Sequence, residues 1–336
     1  MIYTKHRVWG LREAVALAAV FLISSIAAMM ILFTIIIRPG AQELGATFSS
    51  KYAEDLGMDP VEVFTAMVAD LGIRHVRLSV YWTDIEQVQG TLDFSKLDTY
   101  MAIAEAHSVD VTLAVGMKVP RWPECYIPSY VNISSEASVG SALYPYMQTL
   151  VSHAKHYPAL VQWQVENEPL FPYGNCPEPS IIRLKNEVSL VRGLDPDHPV
   201  MLTVSGEQEP WLDIASIADT IGVSVYRFAY NSVLGPIPFP HQPIYYRIHA
   251  MITGFFVNEV VISELQMEPW FTGSPQDPAA LAVPFSTKEF SDHLNFSKQT
   301  GIRKVLLWGA EWWYYQKLQG DESLWNAARR AFSTSE

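Results

Sequence analysis

Cysteine is nearly absent from this chain of 336 residues, with only Cys125 and Cys176 present. Two thiols cannot close a zinc site by themselves, and no Cys-x-x-Cys or His-x-His spacing accompanies them. No metal and no cofactor is therefore expected. Basic residues are also scarce: 23 Lys and Arg stand against 35 Asp and Glu, a net charge of −12. That balance argues against nucleic acid, which selects basic patches, and against docking of the body on anionic lipid. No internal repeat or low-complexity linker occurs. A Gly-rich phosphate turn is missing as well, because Phe48-Ser49-Ser50-Lys51-Tyr52 follows the first apolar run where a dinucleotide fingerprint would stand. What remains is globular in composition, 49% hydrophobic and 17% charged.

One stretch lacks charge altogether. The 24 residues Ala14 to Ile37 hold no Asp, Glu, Lys or Arg. A helix of that length would cover roughly 36 Å, enough to cross a hydrocarbon core with some tilt. Lys5, Arg7 and Arg12 precede it, so the positive-inside rule predicts a cytoplasmic tail over residues 1–13, a transmembrane signal-anchor over 14–37, and an extracytoplasmic body. A cleaved signal peptide is the competing reading. Its apolar core is usually only about 7–15 residues and ends at small residues, whereas Arg38-Pro39 follows here. The body, 41–336, suits one large domain.

Within the body, short β-branched runs alternate with helical patterns. Candidate strands are Leu44–Phe48, His75–Trp82, Val109–Gly116, Val161–Glu166, Val200–Val204, Ile221–Tyr226, Glu259–Glu264 and Lys304–Trp308. Candidate helices are Val61–Leu71, Ser95–Ala106, Ser141–Tyr157, Ser180–Gly193, Trp211–Ala218, Tyr245–Val257, Thr287–Thr300 and Glu322–Phe332. Asp59-Pro60 and Ser95 supply helix-start signals. Eight β/α units predict an α/β fold of the (β/α)8 TIM-barrel type, with its chemistry at the C-terminal ends of the strands.

Two of those ends carry glutamates. The fourth strand runs Trp163-Gln164-Val165-Glu166-Asn167-Glu168-Pro169, and the seventh runs Val260-Val261-Ile262-Ser263-Glu264-Leu265-Gln266. Strands four and seven face each other across an eight-membered ring, so two carboxyls there can flank one glycosidic bond. Cleaving that bond needs a proton for the leaving oxygen and a partner for the oxocarbenium-like carbon. Glu166 shares strand parity with Glu168 and is the rival acid; Glu168 lies one step further into the loop. Trp82, Trp122, Trp270, Trp308, Trp312 and Trp313 fall at or just beyond strand ends, where flat rings suit the apolar faces of sugars. Trp163 lies inside its strand and reads as core. Glu268 and Glu311 are further acids near the same rim, as sugar ligands or solvated groups. Loops after strands three and four lie side by side, so a disulfide between Cys125 and Cys176 is expected if the topology holds.

The Asn-Glu-Pro end of strand four, together with the glutamate ending strand seven, resembles the clan of retaining (β/α)8 β-glycosidases that includes families 5, 39 and 42. The resemblance spans the barrel, but only these short motifs are specific. It implies Glu168 as general acid/base, Glu264 as nucleophile, and Asn167 as a ligand of the sugar 2-hydroxyl. It also implies Arg77 and Tyr226 as partners that keep the nucleophile ionised, and Trp308 beneath the sugar being cleaved. An aromatic residue is common in the clan where Glu166 stands here. The implied function is retaining hydrolysis of a β-linked oligo- or polysaccharide at the cell surface. Transglycosylation would use the same glutamates. A non-catalytic carbohydrate-binding barrel would be expected to lack one of them. Glycan, linkage and oligomeric state are not written in the sequence.

Overall fold

The computed structural model describes residues 15–26, 42–231 and 233–334. The chain divides between Pro39 and Gly40, and each part is described by itself. Residues 15–26 are helical, with exposed side chains. The rest of the uncharged run 14–37 lies outside the described residues. Among the described residues, no helix is long and apolar enough to cross a membrane.

The body is a closed barrel of eight parallel strands. They are β1 (Glu43–Phe48), β2 (His75–Ser79), β3 (Asp110–Val115), β4 (Leu160–Val165), β5 (Val200–Val204), β6 (Thr220–Val225), β7 (Glu259–Gln266) and β8 (Lys304–Trp308). Each strand pairs with its sequence neighbours, and β8 closes the ring by pairing Leu307 with Ala46 of β1. Strands covered by helices bury both faces, which is why they read as continuous Val/Ile/Leu runs. Val111, Leu113, Leu202, Ile221, Val223 and Leu307 are all fully buried. Two hairpins leave the barrel mouth: Phe228–Asn231 with Gly235–Pro238 after β6, and Trp270–Phe271 with Leu281–Val283 after β7.

One irregularity places the chemistry. Val223 of β6 opposes Ile262 of β7, but the next residue, Ser224, opposes Glu264. Ser263 is therefore an extra residue in β7, and such a bulge re-aims the side chains beyond it.

Two of the expected helices depart most from expectation. The helix expected to begin at Ser141 starts at Glu136, capped by the Ser135 side chain, and runs to Ala154 through Pro145. The helix expected over Trp211–Ala218 does not form; only a 3-10 turn, Ala215–Ile217, stands there. Two helical turns give too few hydrogen bonds to offset nucleation. The segment is instead pinned by Trp211, whose indole N–H donates to the carbonyl of Gly206.

Trp82 is a correction. Strand β2 ends at Ser79, and Trp82 opens a short helix, Trp82–Ile85. Its ring is fully buried, stacks on Tyr146 at 5.0 Å and donates to Glu86 at 2.9 Å, so it offers no face to a sugar. Trp313 is likewise interior, with its N–H on the carbonyl of Met267. Replacing Trp82 with Ala should cost about 3–5 kcal/mol through the cavity left behind, read as a lower urea midpoint with an unchanged m-value.

Candidate active site at the barrel mouth

Arg77 lies in the barrel interior, fully buried, and donates through Nη2 to Oε1 of Glu264 at 2.6 Å. Tyr226, just past β6, donates its hydroxyl to Oε2 of the same carboxylate at 3.1 Å. Both oxygens of Glu264 are thus held, one by a cation and one by a phenol. The second arm of Arg77 reaches Oε1 of Gln164 at 3.5 Å. Gln164 Nε2 in turn donates to the carbonyl of Glu166 at 2.9 Å and to Oδ1 of Asn167 at 3.3 Å. That link ties the end of β4 to the arginine beneath Glu264.

Glu168 sits opposite, partly exposed. Its Oε1 accepts from the hydroxyl of Ser224 at 3.0 Å, and its backbone N–H donates to Thr203 at 2.8 Å. Burial first, then the charges of Glu264 and Glu124, push its carboxyl well above the ordinary carboxylate range. Ser224 is also the register partner of Glu264, so the strand position whose hydroxyl bonds Glu168 lies beside Glu264 in the sheet. Lys118 is buried and donates to the carbonyls of Glu168 and Phe171, bracing the loop after β4.

Glu166 faces away from this pair. Its two oxygens accept the backbone N–H groups of Met117 and Lys118 at 2.9 and 2.6 Å. Together with Arg183 and Glu187 it lines a separate cavity of about 140 Å³ behind the loop. Gly116, at φ +125, makes that position possible, since a Cβ there would fall 2.4 Å from the Glu166 carboxylate.

A third carboxylate escaped the sequence reading. Glu124, nearly buried, accepts from Nδ2 of Asn167 at 3.1 Å, while Oδ1 of Asn167 accepts from Thr203 at 3.2 Å. Burial and the nearby Glu264 raise Glu124 to about 7. Its loop is fixed by the Cys125–Cys176 disulfide, with Cα atoms 5.2 Å apart. Gly174 allows the close approach of the second loop, because a Cβ there would lie 2.6 Å from that of Glu124. A glutamate beside one of the two cysteines was the available signal; the loop conformation that turns it inward was not.

On the other flank, the Arg121 guanidinium lies between the rings of Tyr52 and Trp308, 3.6 and 4.2 Å from their centres. It grips Glu268 through both arms and stands 3.7 Å from Glu311. Trp308 donates to Glu268 at 2.7 Å. Glu311 is buried rather than solvated and accepts the Ser49 backbone N–H; burial raises it to about 7. Trp270 lies half-exposed, edge-on to Tyr226 at 6.3 Å, and Trp122 is exposed beside Tyr173. Among the described residues, no group of His, Cys, Asp and Glu could hold a metal ion.

This architecture is shared with glycoside hydrolases. The barrel is similar to that of GH5_18 from Bifidobacterium longum subsp. longum ATCC 55813 in complex with Manb1-4GlcNAc (TM-score 0.57, 13% identity, 80% of this chain and 68% of that one). It is also similar to an exo-β-1,4-mannosidase from Opitutaceae bacterium strain TAV5 (TM-score 0.54, 15% identity, 81% and 51%). A β-galactosidase from the psychrophilic Marinomonas ef1 is comparable (TM-score 0.53, 13% identity, 79% and 54%). The chain thus spans about half the length of the last two. No family model matches the sequence, and no curated protein does. At these identities the likeness establishes the fold.

The buried acids have a consequence for stability. Glu124, Glu207, Glu209 and Glu311 are each raised to about 7, burial being the first cause in all four. In the unfolded chain they titrate near 4.3. Between those values the folded state holds more protons, so stability falls as pH rises from about 4.5 to about 7. Glu124→Gln keeps an acceptor for Asn167. It should raise the melting temperature at pH 8, and the gain should vanish by pH 4.

Proposed function

We propose that this chain is a retaining β-glycosidase, with Glu168 as general acid/base and Glu264 as nucleophile. The observation that carries the reading is the contrast between the two carboxyls. Glu264 has one oxygen on Arg77 and the other on Tyr226, whereas Glu168 is lifted well above the usual carboxylate range by burial and neighbouring acids. A general acid must start protonated, which the raised Glu168 meets, and an attacking carboxylate must be held in place, which the two donors on Glu264 do.

In the proposed first step, Glu168 gives its proton to the glycosidic oxygen as that bond breaks, and a Glu264 oxygen bonds to the anomeric carbon. In the second step, Glu168 takes a proton from water, whose oxygen displaces Glu264 from that carbon. Two inversions leave the anomeric configuration retained. Asn167 presents Nδ2 beside Glu124, where it would meet a sugar hydroxyl next to the reacting carbon. Trp270 supplies a half-exposed ring at the same mouth, and Trp122 extends the apolar surface outward.

The charge of the cleft supports a neutral glycan. Its cations are already engaged: Arg77 by Glu264 and Gln164, Arg121 by Glu268, and Lys118 by two carbonyls. A uronate entering beside Glu124, Glu168 and Glu264 would find repulsion and no unengaged partner among these three. Neutral β-mannosides and β-galactosides, the substrates named for two of the similar barrels, are the first class to test. The uncharged run 14–37 supports a single-pass anchor, which would place the barrel on the extracytoplasmic surface.

On a panel of aryl and oligosaccharide β-glycosides, Glu168→Gln and Glu264→Gln should each lower kcat/KM by a hundredfold or more, roughly the scale of a lost acid–base group. Full activity in either variant would sink the mechanism. Proton NMR of the first product should show the β-anomer, and the α-anomer would mean inversion. β-Glucuronides should remain uncut by the wild type.

A further inference from the structure

The helix after the β6 hairpin, Pro243–Thr253, packs only one side onto the barrel. Tyr246, Arg247 and Thr253 are buried, and Arg247 donates to the carbonyl of Thr300. Its other side shows Ile244, Ile248, Met251 and Ile252 to solvent, and the turn that follows adds Phe255 and Phe256, 85% and 63% exposed. The spacing of these six residues, 4, 3, 1, 3 and 1 along the chain, is that of one helical face. Other exposed large apolar residues, such as Val88, Ile133 and Leu234, are spread over separate loops. A continuous apolar stripe of this kind marks an interaction surface.

Its place in the barrel indicates the occupant. Only Val257 and Asn258 separate Phe256 from Glu259, the first residue of β7, so the phenylalanines lie at the N-terminal end of the strands, opposite the candidate active site. The same end receives the incoming chain. Glu43 N–H donates to the carbonyl of Arg303, Lys304 pairs with Glu259 at 3.0 Å, and Asn258 N–H donates to the carbonyl of Asp219. From Ile37, the last residue of the uncharged run, to Glu43 there are six residue steps, about 20 Å even when fully extended. Three acids at this end are paired: Glu43 with Arg303, Glu259 with Lys304, and Asp219 with Arg192 at 2.9 Å.

We propose that the stripe ending in Phe255 and Phe256 is a bilayer-docking surface that seats the N-terminal end of the barrel on the interface of a zwitterionic membrane. The partner is zwitterionic because a body with 19 Lys and Arg against 34 Asp and Glu, net charge −15 over 41–336, gains nothing from anionic headgroups, whereas aromatic and aliphatic side chains enter the headgroup–acyl boundary. Seated in this way, the barrel turns its mouth away from the lipid toward extracellular glycan. The proposal rests on the anchor reading of residues 14–37, and the two fail separately.

The test uses the full chain reconstituted with phosphatidylcholine vesicles, as wild type and as the Phe255→Ser/Phe256→Ser double variant. Flotation reports attachment, and hydrogen exchange of the amides in Tyr246–Ile252 reports docking. Both proteins should float, and exchange should be at least about fivefold slower in the wild type. Equal exchange in two floating proteins overturns the docking surface and leaves the anchor standing. Flotation of the wild type alone supports the surface and overturns the anchor. If neither floats, both are overturned. Protection that grows with the protein-to-lipid ratio overturns lipid as the occupant in favour of a second copy of the chain.

Discussion

The Arg77–Glu264 contact is the constraint on which the candidate site depends. Arg77 has no exposure, and a buried charge without a partner is costly by several kcal/mol. Glu264 supplies that partner at 2.6 Å, and Gln164 meets the other arm of the guanidinium. Through Gln164 the contact reaches the carbonyl of Glu166 and the side chain of Asn167, and through Asn167 it reaches Glu124. Three strand ends, those of β3, β4 and β7, are thus linked to one buried cation on β2. A shift of Arg77 would move Glu264 and the loop bearing Glu168 together, and the two could not drift independently.

Backbone strain is concentrated around the same point. Among the described residues, the non-glycine positions with positive φ are Ser108, Arg121, Glu124, Glu166 and Glu168. All but Ser108 belong to the loops after β3 and β4 at the mouth. Left-handed backbone in such residues costs roughly 1–3 kcal/mol each and persists where surroundings over-determine it. Here the surroundings are the Cys125–Cys176 bridge, the Lys118 grip on two carbonyls, and the amides of Met117 and Lys118 closing on Glu166. The strain turns Glu124 and Glu168 toward Glu264 and sends Glu166 to the far side. It separates residues that are adjacent in sequence and similar in chemistry.

The barrel was legible in the sequence because strand runs and helix periods recur eight times, and each strand must bury both faces. The ends of the strands were legible for the same reason, since the apolar runs of β4 and β7 give way there to polar residues; parity did not separate Glu166 from Glu168, which share it and face opposite ways. What depended on loops was not. Trp82 reads as a rim tryptophan until β2 is seen to stop three residues earlier, at Ser79, so that its ring turns into the core beside Tyr146. Glu124 and Arg121 sit in an irregular loop where no periodicity assigns a direction. Ser224 reads as an ordinary strand residue, and only the bulge at Ser263 brings Glu264 into register with it while its hydroxyl bonds Glu168. Parity rules fail where a single inserted residue shifts the register, and here that insertion lies next to Glu264.

The account stands or falls on Glu264 forming a bond to the sugar. The direct measurement is incubation with an activated 2-deoxy-2-fluoro β-glycoside, which slows the second step more than the first, followed by peptide mass spectrometry. The account predicts one sugar added per chain, located on the peptide of β7 at Glu264 and absent in Glu264→Gln. A label on Glu168 or Glu124, or hydrolysis of the reagent with no adduct and an inverted product, would contradict it.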